Sequence, residues 1–112
     1  MVFRWSDSHT EPTAHGFEKR ILVRGGALPD VTQVAVAVIP SESVIEPHAH
    51  RTMYEVFFVL EGDAVYVIDG KEYEASPGDL VVAPPGAIHS VRVGRQAHRV
   101  FYWGIATGPS PG

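Results

Sequence analysis

Cysteine is absent from this chain, as are long apolar runs and clusters of basic residues. The lack of cysteine excludes disulfide bonds and any zinc site built on thiolates. The first segment, MVFRWSDSHTEPTAHG, has no apolar stretch of the length that a secretory signal or membrane span requires. We therefore expect a cytoplasmic protein without a membrane partner. The basic residues are scattered and the formal net charge is −4, which argues against a nucleic-acid-binding surface.

The composition is that of one small globular domain. A length of 112 residues suits a single core, and 45% hydrophobic with 20% charged residues excludes a disordered chain. Residues 1–16 are polar and interrupted by proline and glycine, so they are expected to form an irregular arm. We predict one domain over residues 17–106 and a flexible tail over residues 107–112.

Short β-branched segments separated by glycine, proline and aspartate predict an all-β fold. In Val31–Ile39, valines 34, 36 and 38 alternate with other residues, which is typical of a strand. Asp69-Gly70 is the residue pair that a two-residue type I′ hairpin turn prefers. No segment of ten residues shows helical periodicity without glycine or proline. The expected architecture is an antiparallel sandwich or barrel.

Three histidines and one glutamate form the most informative pattern, His48-x-His50-x4-Glu55 followed by His89. Imidazole and carboxylate groups bind divalent transition metals. Alternate residues of a strand point to the same side, so His48 and His50 can face one interior. Glu55 lies at an odd offset from His50, so it joins them only if the chain bends between Arg51 and Tyr54.

Each member of this pattern also has a structural interpretation. Two histidines at alternate positions also occur on exposed strands or as hydrogen-bonded core residues. Glu55 could pair with Arg51 on a sheet face, and His89 could cap the turn at residues 84–86. The combined spacing of all four residues favours a metal site.

The spacing resembles the cupin family. The first cupin motif, G(X)5HXH(X)3-4E(X)6G, matches at His48, His50, Glu55 and Gly62. The second motif, G(X)5PXG(X)2H(X)3N, matches at Gly78, Pro84, Gly86 and His89. Two positions depart from the motifs, since Glu42 replaces the opening glycine of the first and Val93 the closing asparagine of the second. The resemblance covers roughly residues 31–105.

The resemblance implies an antiparallel double-sheet jelly-roll barrel, usually a homodimer, with one metal held inside. His48, His50, Glu55 and His89 would bind iron, manganese, nickel, cobalt or zinc. Glu42 would occupy a turn position that suits the positive φ of glycine. Phe57 shares the face of Glu55 by the strand period of two, and we predict that Phe57 and Val93 shape an apolar wall of the substrate pocket.

Two functions are consistent with this pattern. The favoured one is a metal-dependent enzyme, similar to a dioxygenase, decarboxylase or isomerase, that acts on a small organic molecule inside the barrel. The alternative is a non-catalytic cupin that binds or senses a small ligand and uses its metal structurally.

Other polar residues have no clear role in the pattern. We expect His9 and His15 to be solvated in the arm. His98 lies in the loop of residues 94–98 and is expected to be exposed, unless it reaches the barrel mouth to shuttle protons. Arg92 and Arg95 are expected to be surface charges, unless either points inward to hold an anionic group.

Overall fold

The computed structural model describes residues 1–108, so residues 109–112 of the predicted tail lie outside the described part of the chain. The described residues form a 3₁₀ turn at Trp5–Asp7 and ten strands: β1 His9–Pro12, β2 Glu18–Val23, β3 Val31–Ile39, β4 Val44–His48, β5 Met53–Glu61, β6 Ala64–Ile68, β7 Lys71–Ala75, β8 Leu80–Ala83, β9 His89–Val93 and β10 His98–Ala106. None of these residues forms a helix long and apolar enough to cross a membrane.

Two antiparallel sheets make up the fold. The six-stranded sheet has the order β1-β2-β3-β10-β5-β8, and the four-stranded sheet has the order β4-β9-β6-β7. From β3 onwards, consecutive strands lie in different sheets, except β6 and β7, which pair with each other. This arrangement confirms the predicted all-β, antiparallel double-sheet fold of the jelly-roll type.

Local turn chemistry explains two of the connections. Asp69 and Gly70 join β6 to β7 with φ angles of 49° and 80°, and positive φ at both positions is what a type I′ turn requires. Glu42 lies in the turn before β4 with a φ of 63°, so this turn keeps its left-handed backbone without glycine.

The core lies between the inner faces of the two sheets. Small and β-branched residues fill it because alternate positions of each strand point inward. Its buried members are Ala37, Ile39, Ile45, Val59, Ala64, Tyr66, Ala75, Val81, Val91, Val93 and Val100. Because several of these side chains are small, space remains between the sheets for a cavity.

The expectation of an irregular arm is wrong for His9–Pro12, which forms strand β1. This strand pairs antiparallel with β2, with Thr10 opposite Arg20. Arg20 also donates hydrogen bonds to Oγ and the carbonyl oxygen of Ser8, at 2.9 and 3.3 Å, and its guanidinium lies 4.7 Å from the Trp5 ring centroid. The strand has no apolar alternation, so only its long-range pairing identifies it.

The expectation that His98 is exposed is also wrong. His98 is the first residue of β10 and is fully buried. Its Nδ1 donates to the carbonyl oxygen of Gly62 at 2.8 Å, and its Nε2 accepts from the Tyr66 hydroxyl at 2.8 Å. Burial is possible because both ring nitrogens have a partner.

Candidate metal centre

The four predicted ligands come together where the two sheets approach each other. His48 is the last residue of β4, His89 is the first residue of β9, and the two are paired directly in the four-stranded sheet. Glu55 lies on β5 of the six-stranded sheet, opposite Ala83 and Gly104 of its neighbours. The site is therefore built from both sheets.

The chain reverses between His50 and Glu55 by changing sheets. Residues 49–52 form the loop between β4 and β5, so His50 lies outside the strand, and the chain bends at Arg51 and Thr52, within the interval predicted for it. The amide of Gly86 donates to the carbonyl oxygen of His50 at 2.8 Å, which ties this loop to the turn before His89. His50 and Glu55 therefore do not share a strand, and the odd number of residues between them does not place their side chains on opposite faces.

The ligand atoms are close enough to surround one ion. One nitrogen or carboxylate oxygen from each of His48, His50, Glu55 and His89 lies within 4.8 Å of the others. Oε1 of Glu55 is 3.0 Å from Nε2 of His50 and 3.1 Å from Nε2 of His89. The ring centroids of His48 and His89 are 4.2 Å apart. Three imidazoles and one carboxylate suit a divalent transition metal.

Backbone carbonyls orient two of the imidazole rings. Nδ1 of His48 donates to the carbonyl oxygen of Glu46 at 2.9 Å, and Nδ1 of His89 donates to that of Ala87 at 3.1 Å. A proton held on Nδ1 directs the lone pair of Nε2 towards the site. This is the arrangement that a metal-binding histidine needs.

The electrostatics of the site couple Glu55 to the histidines. Burial raises the pKa of Glu55, but the hydrogen bond to His89 and the charges of His50, His89 and His48 lower it by more, so the carboxyl pKa is below its ordinary value. Burial lowers the pKa of His89, but the hydrogen bonds to Glu55 and to the Ala87 carbonyl raise it above its ordinary value. The hydrogen bond between them thus couples the carboxylate of Glu55 to the imidazole of His89.

A cavity of about 480 Å³ opens above the four residues. Phe57 lines it, with its ring centroid 6.3 Å from that of His89 and 5.9 Å from that of Tyr102. Burial, together with the charge of Glu55, raises the pKa of Tyr102 to about 12, so this phenol stays protonated at neutral pH. The cavity therefore has an aromatic wall with a hydroxyl group on it.

Val93 does not line this cavity, contrary to the prediction. It is only 3% exposed and belongs to the core, next to a separate surface hollow. Four residues at about 3.3 Å per residue place Val93 about 13 Å along β9 from His89, too far to reach the site. Val91, on the same face of the strand, takes the wall position instead.

The two arginines considered for anion binding lie outside the cavity lining. Arg92 is exposed and its Nη2 lies 3.6 Å from a carboxylate oxygen of Glu72 on β7. Arg95 is exposed in the loop after β9. Both therefore fit the expectation of surface charges.

His15 is a cavity residue that the sequence pattern did not identify. It is exposed, but it lines the mouth of the cavity and its ring centroid lies 5.1 Å from that of His48. Burial, followed by the charge of His48, lowers the pKa of His15, which favours a neutral ring. The turn between β1 and β2 holds it there, because Thr13 bonds to the carbonyl oxygen of Phe17 through both its amide and its hydroxyl, at 2.8 and 2.7 Å.

Residues 34–103 match the cupin domain, so the chain belongs to the cupin family. Curated relatives match only part of it. An uncharacterised protein of Methanocaldococcus jannaschii is 31% identical over 58 residues, which are 52% of this chain and 46% of that protein. Quercetin 2,3-dioxygenase of Bacillus subtilis is 35% identical over 54 residues, which are 48% of this chain and 16% of that enzyme. The chain thus matches less than half the length of either relative.

A solved structure extends the similarity to nearly the whole chain. The crystal structure of a predicted oxalate decarboxylase from Thermotoga maritima has a TM-score of 0.81 and 23% identity, covering 95% of this chain and 99% of that one. At this identity the similarity concerns the fold.

Proposed function

We propose that this protein is a metal-dependent enzyme that acts on a small organic molecule in the cavity. One divalent transition metal would be held by His48, His50, Glu55 and His89. The observation that supports this is the convergence of their four ligand atoms within 4.8 Å at the base of a cavity of about 480 Å³. A buried carboxylate among three histidines needs a cation or a proton to offset its charge.

The donor set fits several metals. Four protein ligands leave two positions open on a six-coordinate iron, manganese, nickel or cobalt ion, whereas they saturate a tetrahedral zinc ion. When bound, such a metal supplies Lewis-acid or redox chemistry to an oxygen of the substrate. An oxidoreductase, lyase or isomerase reaction fits this chemistry, and the partial similarity to a quercetin dioxygenase supports the first of these.

The side chains around the ligands would bind the substrate and exclude water. Phe57 and Val91 supply apolar walls, and the Tyr102 hydroxyl can donate a hydrogen bond because its pKa is raised to about 12. His15 at the mouth can contact a molecule that reaches His48. These groups place a substrate next to the four-residue site without serving as ligands themselves.

The test is the metal content of protein purified without added metal. We expect close to one equivalent of a divalent transition metal per chain, and a large loss of it in His89→Ala, because His89 is buried beside Glu55. His9→Ala, which changes an exposed histidine of β1, is the matched control and should retain the metal. Near-stoichiometric metal in His89→Ala would refute the ligand assignment.

A turnover measurement distinguishes the proposed enzyme from the alternative, a ligand-binding or sensor cupin with a structural metal. Turnover of a bound compound by the metal-loaded protein would support the enzyme. A tightly bound compound recovered unchanged would support the sensor.

A homodimer is part of the same proposal. The outer face of the six-stranded sheet carries exposed Val38, Leu80, Val82 and Ile105, which a second subunit would cover. A cytoplasmic location stays a prediction.

A further inference from the structure

The rim of the cavity is formed mainly by the segment that joins β1 to β2. Among residues 1–108, four of the residues that line the cavity are exposed, whereas the other lining residues are buried or partly buried. These four are Pro12, Ala14, His15 and Gly25. Three of them belong to residues 12–15, and Gly25 has no side chain. The largest side chain on the rim is therefore that of His15.

Hydrogen bonds fix the backbone of this turn. Thr13 binds the carbonyl oxygen of Phe17 through its amide and its hydroxyl, and the amide of His15 donates to Oγ1 of Thr13 at 3.3 Å. Gly16 has a φ of 88°, a conformation that glycine adopts without strain. The backbone of His15 is thus held at one place on the rim.

The ring of His15 lies beside the four-residue site without being tied to it. Its centroid is 5.1 Å from that of His48, close to the 5.2 Å between the rings of His48 and His50. The ring also stacks on Phe17, with an interplanar angle of 21°. Neither ring nitrogen has a hydrogen-bond partner within the described part of the chain. An exposed side chain held by ring contacts alone changes rotamer on the picosecond to nanosecond timescale.

The exposure of the site residues shows the direction from which a molecule enters. The side chain of His50 is 40% exposed, whereas those of Glu55 and His89 are 11% and 3% exposed. A molecule from solvent therefore passes His50 before it reaches Glu55 and His89. The ring of His15 lies on the rim at this end of the cavity, so it narrows the path.

We propose that His15 is a size filter at the cavity mouth, which lets small molecules pass and slows the entry of bulky ones such as polycyclic compounds. The inference deepens the proposed function, because it names a residue that determines which substrates reach the metal site. His15 acts on entry and not on the reacting atoms, so it is a specificity residue and not a catalytic one.

A single engineered cysteine tests the filter, because the chain has no cysteine of its own. Phe57→Cys places a thiol on the cavity wall at a partly exposed position of β5, and Tyr102→Cys places a second probe on β10 if the first variant does not fold. The full-length protein, freed of metal by a chelator, is treated with N-ethylmaleimide or N-(1-pyrenyl)maleimide. Both reagents are uncharged and have the same reactive group, but they differ in width. The ratio of their rate constants therefore reports access and not the reactivity of the thiol.

Changes of His15 should alter this ratio in both directions. In the cysteine background, His15→Ala should raise the pyrenyl rate relative to the ethyl rate by about tenfold, since the entry barrier falls with the removal of the ring. His15→Trp should lower the same ratio. His9→Ala and His9→Trp change an exposed histidine of β1 and should leave the ratio unchanged.

Thr13→Val tests the support of the filter. It removes the hydroxyl group that binds the Phe17 carbonyl and accepts from the His15 amide, so it should raise the ratio by a smaller factor than His15→Ala. Thr10→Val, at an exposed position of β1, is its control.

An unchanged ratio in both His15 variants, a ratio that changes equally in the His9 variants, or no reaction of either reagent at either cysteine would overturn the inference. These measurements use metal-free protein, so they do not depend on the proposed metal site. The metal content of the wild type tests that site separately, and the two proposals can fail independently.

Discussion

Gly62 combines a left-handed backbone with a close approach of two chain segments. Its φ is 74°, and a Cβ atom built there would overlap the carbonyl oxygen of Ala97. Gly70 has a similar φ of 80°, but a Cβ atom there meets nothing within 4 Å. Alanine substitutions at the two glycines therefore distinguish the cost of backbone strain alone from the cost of strain combined with steric overlap.

We expect Gly62→Ala to lower the free energy of unfolding by more than about 3 kcal/mol, because strain and overlap act together. Gly70→Ala should lower it by only about 1–2 kcal/mol, the cost of a left-handed alanine. Urea denaturation followed by circular dichroism measures both. Similar losses in the two variants would show that Ala97 moves away without cost.

The residues of the site differ in how far the sequence could predict them. Ligand chemistry and spacing predicted the four-residue site of His48, His50, Glu55 and His89, because both can be read directly from the sequence. His15 was not predicted, because it reaches the cavity through the pairing of β1 and β2 and is not part of a spaced motif. The prediction for Val93 was wrong because its position in the motif does not indicate how far the cavity extends along β9.

At the scale of the elements, His98 joins the two sheets. It begins β10 of the six-stranded sheet, and its partner Tyr66 lies on β6 of the other sheet. Burial lowers the pKa of His98, and the hydrogen bond to the Gly62 carbonyl offsets only part of that effect. The ring is therefore kept neutral, with Nε2 as an acceptor for the Tyr66 hydroxyl.

This depressed pKa predicts that acid weakens the fold. Because the unfolded chain binds the proton more readily, the contribution of His98 to stability is complete above about pH 6.5 and falls as the pH drops through that value towards the folded pKa. The free energy of unfolding of metal-free protein, measured in urea at pH 7.5 and 5.5, should therefore fall more for the wild type than for His98→Gln. His9→Gln, at an exposed position, should keep the wild-type dependence. Equal pH dependence in the wild type and His98→Gln would contradict this role.

Strands with a strong alternation of apolar and polar residues were predictable from the sequence. Strands that depend on pairing with a distant segment were not. Strand β3 begins and ends at Val31 and Ile39, the residues that the alternating pattern predicted. Strand β1 has no such pattern and exists because β2 offers it a backbone partner. The bend before Glu55 was predicted from ligand geometry, but the change of sheet that produces it is a property of the topology.

At the scale of the molecule, the outer face of the six-stranded sheet is unusually apolar. Four adjacent strands, β3, β10, β5 and β8, present apolar side chains there in a continuous surface. Its partly or fully exposed members are Val34, Val38, Tyr54, Phe58, Leu60, Leu80, Val82, Phe101, Trp103 and Ile105. Contiguous apolar surfaces of this extent commonly mark a protein interface. A second copy would cover this face by the same surface of its own, as twofold symmetry requires.

The homodimer is tested by light scattering on the eluting protein. We expect a mass of twice 12.2 kDa for the wild type. Leu80→Glu and Val82→Glu should shift the protein towards the monomer, because each places a charge in the apolar face of the edge strand β8. The side chains of Leu80 and Val82 are 56% and 41% exposed. Val44→Glu changes a side chain that is 54% exposed on β4 of the other sheet, so this control should remain dimeric. A wild-type mass of 12.2 kDa would exclude the dimer, and a Val44→Glu monomer beside dimeric Leu80→Glu would place the interface on the four-stranded sheet instead.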